Sequence, residues 1–222
     1  MALIVAARNE ADRIGATLAS LERAFPGAAR WVADDASTDG TAEAAIASGA
    51  QIVTRRRPHG KGGNVTAAAA AVLGAEPAPR VVLLCDADLG SSAGELAALV
   101  DEVDGGRCDL AVAAFRNRVG GGFGATVSFA RWAIERRSGF RARAPLSGQR
   151  AMRAEVLREL LPLAAGFGVE TGMTIDAVRA GYRVEEIELD LEHRATGRTL
   201  AGFAHRGRQL LDAARAYHAR RG

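Results

Sequence analysis

Long apolar runs are missing from this sequence. No stretch approaches the roughly 18 residues that a membrane-crossing helix requires, although 48% of the residues are hydrophobic. Charge of one sign is scarce too, because 29 Lys and Arg oppose 26 Asp and Glu over 222 residues and leave a net charge of +3. A nucleic-acid binder is usually more lopsided, so no nucleic-acid partner is expected. The only two cysteines, Cys85 and Cys108, lie in apolar strand-like runs, which suits reduced, buried thiols better than a disulfide or metal framework. The opening MALIVAARNE is apolar for only a few residues and meets charge at Arg8. It lacks the features of a signal peptide, and a cytoplasmic location is expected.

What the sequence does contain is an alternation of short β-like runs and amphipathic helical patterns. Strands are expected at residues 2–6, 30–33, 51–54, 81–85, 109–114, 145–152 and 182–189. Between them, Ile14, Leu18, Leu21 and Phe25 recur at helical spacing before Pro26-Gly27, and further helices are expected at 41–48 and 64–73. Leu96, Leu99, Val100 and Val103 mark a helix opened by Ser92 and Glu95 as a capping box. After a glycine-rich flexible loop at 119–124, helices are expected at 125–137, at 153–161 and around Val169, Met173, Ala177 and Ala180. A basic helix carrying Leu200, Phe203, Leu210, Ala214 and Tyr217 closes the chain. This order predicts an α/β fold with a mostly parallel, doubly wound sheet flanked by helices, its ligands bound outside the carboxyl ends of the strands. One domain over residues 1–222 is expected, with 116–222 supplying a second wall to a cleft.

Three segments carry candidate chemistry. The run from Val81 to Leu89 is an apolar strand ending in Asp86-Ala87-Asp88. Carboxylates at the open edge of a parallel sheet suit Mg2+ or Mn2+ bridging a diphosphate, or else simply end a strand. The second segment contains Asp34, Asp35, Ser37, Asp39 and Gly40. There, Asp34 or Asp35 would accept hydrogen bonds from a base edge or ribose hydroxyls, and Asp39 reads as a helix cap. In the third, Arg55-Arg56-Arg57-Pro58-His59-Gly60-Lys61-Gly62-Gly63 joins a strand to a helix. Its cations and small residues suit phosphate at a helix N-terminus, or a solvated charge run. The Walker A spacing is missing, and the first strand runs into Arg8-Asn9-Glu10 rather than Gly-x-Gly-x-x-Gly.

Together with Ala6-Ala7-Arg8-Asn9-Glu10, these segments resemble those of family 2 glycosyltransferases of the GT-A fold. The likeness continues through Pro145 to Arg150, Gly166 to Glu170 and Glu192 to Arg198, so seven motifs occur in order over nearly the whole chain. By motif it is similar to polyprenyl- or dolichyl-phosphate sugar transferases and glucosyl-3-phosphoglycerate synthases. The resemblance implies a nucleotide-sugar-binding half at 1–115 and an acceptor-binding half at 116–222. It places Ala6, Arg8, Glu10, Asp35, Lys61, Asp86, Ala87, Arg194 and Arg198 around the donor, with Asp86, Asp88 and His193 at Mg2+ or Mn2+. Ser147, Gly148, Gln149 and Glu170 fall at the acceptor, with Asp88 and Glu170 as catalytic groups. Two departures stand out: Ala7 occupies the usual proline position, and the acceptor motif reads Ser147-Gly148-Gln149.

The activity implied is metal-dependent transfer of a sugar from a nucleoside-diphosphate sugar to a hydroxyl or phosphate acceptor. If the anomeric centre inverts, Glu170 would act as base; if it is retained, Glu170 would only bind. The acceptor is either a small acid such as a phosphoglycerate or a polyprenyl phosphate. In the latter case the basic C-terminal helix would meet the inner membrane face peripherally, and a homodimer is compatible with either. Two other readings remain open: a phosphatase or phosphotransferase with Asp86 as nucleophile, and a non-catalytic nucleotide-sugar binder.

Overall fold

Alternation with period two decides how the first strand divides the molecule. In β1 (Ala2–Ala7), Leu3, Val5 and Ala7 face one layer of helices while Ala2 and Ile4 face the other. The same partition runs through β4 (Val81–Asp86), where Val81, Leu83 and Cys85 oppose Val82 and Leu84. Both strands are buried on both faces, as a sheet covered by helices on each side demands. This computed structural model describes residues 1–55, 57–116, 124–191 and 200–220, and leaves the side chains of 200–209 undescribed.

The remaining described strands are β2 (Ala29–Asp34), β3 (Gln51–Thr54), β5 (Leu110–Phe115), β6 (Arg150–Arg153) and β7 (Val184–Leu189). They form one sheet in the order β3-β2-β1-β4-β6-β5-β7. All neighbouring pairs are parallel except those made by β6, which runs antiparallel to β4 and β5. One layer holds α1 (Ile14–Ala24), α2 (Thr41–Ala47) and α4 (Ala97–Asp104). The other holds α3 (Gly60–Leu73), α6 (Ala154–Leu160) and α7 (Val169–Arg179). Outside them, α5 (Gly124–Ser138) packs on α7, and α8 (Leu200–Ala219) packs on α5 and α7. No described helix is long and apolar enough to cross a membrane.

The chain builds outward from β1 through β2 to β3, then returns to place β4 on the other side of β1. The carboxyl ends of β1 and β4 therefore flank the point where winding reverses, with Ala6 opposite Asp86 in register. That crevice is where doubly wound sheets bind ligands. Because β6 is antiparallel and pairs Arg150 with Leu84, the residues just before β6 arrive at this same edge.

Three expectations are corrected. The strand expected at 145–152 is confined to β6. Before it, Glu186 accepts the backbone N–H groups of Arg143 and Ala144 at 2.7 and 2.8 Å, and Nε of Arg150 donates to the Ser147 carbonyl at 2.9 Å. Side chains thus satisfy backbone groups that a strand would have paired. Ser92 does not cap a helix with Glu95; its hydroxyl donates to the Leu89 carbonyl at 2.8 Å, Gly90–Leu96 is a 3-10 turn, and α4 begins at Ala97. Helix α3 starts at Gly60 rather than at 64. Cys85 and Cys108 are free and buried, as expected. Burial keeps both thiols protonated, holding Cys85 above its ordinary range with help from Asp86 and pushing Cys108 up to about 11.

Asp109, just before β5, ties three strands together. It accepts the Arg183 backbone N–H at 2.7 Å, the Arg183 guanidinium at 3.1 Å, and Nη2 of Arg153 at 2.7 Å. Burial opposes its charge, but these partners outweigh burial and hold the carboxyl below the usual carboxylate range. Asp109→Asn is expected to lower stability at pH 7 by about 1–3 kcal/mol in urea unfolding. The folded carboxyl has the lower pKa, so the wild type keeps this contribution above pH 4 and loses it as the pH falls further, a loss the variant should not show.

Candidate active site

The centre of the site is a buried ammonium held by two carboxylates from distant parts of the chain. Nζ of Lys61, at the start of α3, lies 2.5 Å from Oδ1 of Asp86 at the end of β4 and 2.8 Å from Oε1 of Glu170 in the first turn of α7. The Glu170 side chain is 7% exposed and that of Lys61 is 19% exposed. Burial alone would favour the neutral amine, yet the two carboxylates outweigh it and keep Lys61 charged well above its ordinary range. Lys61 is the one lysine in a chain with 28 arginines. That count is a second sequence signal beside the motif that already contains Lys61.

Close backbone approach puts Lys61 there. A Cβ on Gly62 would collide with the Ala164 carbonyl, and one on Gly60, whose φ is +70°, would lie 3.1 Å from Gly166 Cα. The glycines flanking Lys61 thus serve packing against 164–166, beyond the phosphate approach expected of them. That segment is fixed from behind by α8, where buried Asp212 accepts the Phe167 backbone N–H at 3.1 Å. Helix α8 turns Asp212, Ala213 and Ala216 inward, while Leu210 and Leu211 remain exposed.

Asp86 uses its second oxygen to accept Nε2 of Gln149 at 2.9 Å, and the Ser147 hydroxyl meets Oε1 of the same amide at 3.2 Å. Ser147 and Gln149 are buried at 7% and 3% exposure, so both turn inward. Gly148 lies against the carboxylate: a Cβ there would stand 2.7 Å from Oδ2 of Asp86 and collide with Nζ of Lys61. Only glycine fits against Asp86 and Lys61 at this position. Arg150 is 1% exposed, donates through Nη1 to Thr174 at 2.9 Å, and has no described hydrogen-bond partner for Nη2. Burial pushes its pKa down to about 10 against the pull of Glu170 and Glu186, which leaves it cationic at neutral pH. With Lys61, Ala6, Gly148 and Glu170 it lines a recess at the sheet edge.

Asp86-Ala87-Asp88 is gripped by α1. The Thr17 hydroxyl donates to the Ala87 carbonyl at 2.7 Å and accepts the Gly90 N–H at 2.9 Å, and Nη1 of Arg13 donates to the Asp88 carbonyl at 3.2 Å. Ser20 extends the grip to Ser91 at 2.7 Å and Gly94 at 3.0 Å. These residues sit among the apolar positions of an amphipathic helix, which is why pattern reading overlooks them. Ala6 closes the other side, its carbonyl accepting the Ala87 N–H at 3.0 Å.

The donor-side loops interlock in the same manner. Asp35 accepts Nη1 of Arg8 at 3.2 Å and the His59 N–H at 2.8 Å. Asp34 turns instead to the Thr54 hydroxyl at 3.1 Å and the Ser37 N–H, and Asp39 accepts the N–H groups of Ala11 and Thr41 at 3.2 and 3.1 Å, while Gly40 rather than Asp39 is the N-cap of α2. Asn9 and Ala36 hold positive φ of 55° and 57°. Asn tolerates this conformation, whereas alanine is strained there. Asn9 braces the pair by accepting the Thr38 N–H at 2.9 Å and donating its own N–H to Ser37 at 2.9 Å. The Glu10 backbone N–H donates to Thr41 at 2.9 Å, and its carbonyl starts α1. His193, Arg194 and Arg198 lie outside the described residues, as does most of the 119–124 loop.

Whether the donors suit a divalent ion can be judged from their chemistry. No cluster of three or more His, Cys, Asp or Glu ligands occurs among the described residues. Two hard carboxylates two residues apart at one strand end, with Lys61 alongside, fit an ion that takes its remaining ligands from a diphosphate and water. Asp86 and Asp88 would hold it.

The comparisons agree with this architecture. Residues 2–161 match the family model for glycosyl transferase family 2. An uncharacterized glycosyltransferase of Mycobacterium tuberculosis is 30% identical over 202 residues, covering 90% of this chain and 88% of its own length. The crystal structure of glucosyl-3-phosphoglycerate synthase from the same organism superposes with a TM-score of 0.79 at 26% identity, covering 100% of this chain and 80% of that one. Its complex with Mn2+, UDP-glucose and phosphoglyceric acid gives 0.75 at 25%, covering 98% and 79%. The chain belongs to glycosyl transferase family 2 and has the GT-A fold. It is an enzyme of sugar transfer, which removes the phosphatase and binding-protein readings.

Thr17→Val is expected to leave the Ala87 carbonyl and the Gly90 N–H without their partner and to cost about 1–3 kcal/mol. Urea unfolding measures the loss, and nucleotide binding should weaken with it because the Asp86-Ala87-Asp88 backbone is released.

Proposed function

We propose that the chain transfers a hexosyl group from a uridine diphosphate sugar to a small phosphorylated hydroxy acid, with Mg2+ or Mn2+ held by Asp86 and Asp88. The observation that carries this reading is the Asp86–Lys61–Glu170 bridge. It brings an acid from the acceptor half against the strand-end carboxylate of the donor half, so donor and acceptor would meet at one sheet edge. The UDP-glucose and phosphoglyceric acid in the structural neighbour supply the chemical classes.

Ala6, Arg8, Glu10 and Asp35 would receive the base and ribose at the ends of β1 and β2, in loops already braced by Asn9 and Ser37. Bound at Asp86 and Asp88, the ion would neutralise charge on the departing diphosphate. Lys61 and the buried Arg150 add positive charge beside it. Gln149 orients Asp86 rather than reaching the acceptor, as its inward amide indicates. Glu170 orients Lys61, since its Oε1 is engaged by that ammonium. A soluble phosphorylated acid is preferred as acceptor over a polyprenyl phosphate because phosphoglyceric acid is the acceptor-class molecule in the structural neighbour. Contact of α8 with an anionic membrane surface belongs to the lipid alternative.

Calorimetric titration of UDP, GDP, ADP and dTDP with and without Mn2+ tests the donor site. UDP is expected to bind with metal dependence, and Asp88→Ala to weaken it at least about tenfold; metal-independent binding unchanged by the substitution would defeat the assignment. Glucose from UDP-glucose should pass to 3-phosphoglycerate, and transfer only to a short polyprenyl phosphate would overturn the acceptor class.

A further inference from the structure

Both oxygens of the Asp86 carboxylate are already engaged, one by Nζ of Lys61 at 2.5 Å and the other by Nε2 of Gln149 at 2.9 Å. Each oxygen keeps a second lone pair, but a divalent ion on Asp86 would sit beside a cation already on the same carboxylate, and that like-charge repulsion favours displacing a donor. Gln149 is poorly placed to yield, being 3% exposed with its Oε1 on the Ser147 hydroxyl. Lys61 is better placed. Its ammonium is a point charge on a flexible stem, and it keeps a second anchor in Glu170 at 2.8 Å when it leaves Asp86.

The geometry points to Lys61 as a resident counter-ion that couples metal binding to donor binding. In the ligand-free chain its ammonium neutralises Asp86. Loading with Mg2+ or Mn2+ transfers Asp86 from the ammonium to the ion, and the ammonium, still held by Glu170, turns to the diphosphate that arrives with the ion. An ion alone repels Lys61 from Asp86 and offers it no new partner, whereas a diphosphate supplies one. Ion and nucleotide thus bind as a cooperative pair, and each raises the affinity for the other by the same factor. A chain that uses arginine at every other basic position keeps its single lysine here. The planar fork of arginine favours fixed bidentate pairing and suits such an exchange less well. This inference rests on the donor reading above.

Mn2+ is titrated into wild type and Lys61→Met, first without nucleotide and then at saturating UDP, with free Mn2+ read by electron paramagnetic resonance. Lys61→Met is expected to bind Mn2+ alone about tenfold tighter than wild type, and to gain less from UDP. Affinity for Mn2+ alone equal to or below that of wild type would overturn the exchange. Should the variant fail to fold, the wild type supplies the answer, because 15N-lysine labelling gives a single side-chain ammonium. That signal should move on saturation with Mg2+ and UDP, and an unmoved signal with binding verified by calorimetry overturns the inference alone. Absence of any UDP binding by wild type would overturn the donor reading and this inference together.

Discussion

An ammonium shielded from water needs carboxylates around it, and here that requirement joins three elements that are far apart in sequence. Lys61 stands at the start of α3, Asp86 at the end of β4 and Glu170 at the start of α7, all within ion-pair distance of one another through a single nitrogen. Removing one member of a buried ionic group typically costs about 3–5 kcal/mol, because the remainder is left uncompensated. The two halves of the chain are thereby held at the edge where chemistry is to occur. Much of the local geometry serves this contact: the glycines around Lys61, the glycine at 148, and the docking of α8 behind Gly166 and Phe167.

Preorganisation follows from the same network. Oriented charges stabilise a transition state when they need no rearrangement at the moment of reaction. Thr17, Arg13 and Ala6 fix the backbone of Asp86-Ala87-Asp88, Gln149 fixes the Asp86 carboxylate, and the left-handed residues Asn9 and Ala36 lock two donor-side loops together. The strain at Ala36 sits beside Asp35, a position where stored backbone strain has functional meaning. Lys61 is the exception in this rigid setting, because it rides on a flexible stem and has two partners to choose between.

Much of the fold was legible because burial on both faces leaves a strong signature. The apolar runs at 2–6 and 81–85 read as strands, and their acidic or polar terminations pointed to the carboxyl edge. Asp86, Asp88, Lys61 and Glu170 were found as motif members, and the structure brings Asp86, Lys61 and Glu170 together. Thr17 and Ser20 were not found, since a hydroxyl among apolar helix positions reads as a minor defect until its carbonyl partner in another element is known. The capping box at Ser92 failed for a related reason: its pattern is local, and the Leu89 carbonyl together with Ser20 imposed a 3-10 turn instead.

By itself the sequence determined the alternation of strands and helices, the burial of β1 and β4, the membership of a glycosyltransferase family, and the acidic strand end, because each depends on periodicity or on contiguous motifs. Only the tertiary structure decided that β6 runs antiparallel, that Gln149 turns inward to Asp86 rather than outward, and that Lys61 spans Asp86 and Glu170. Those facts depend on contacts between residues 25 to 109 positions apart. Local patterning carries no information on them: the register of β6 with β4 brings Gln149 to Asp86, and the close packing of Gly60 and Gly62 on 164–166 brings Lys61 to Glu170.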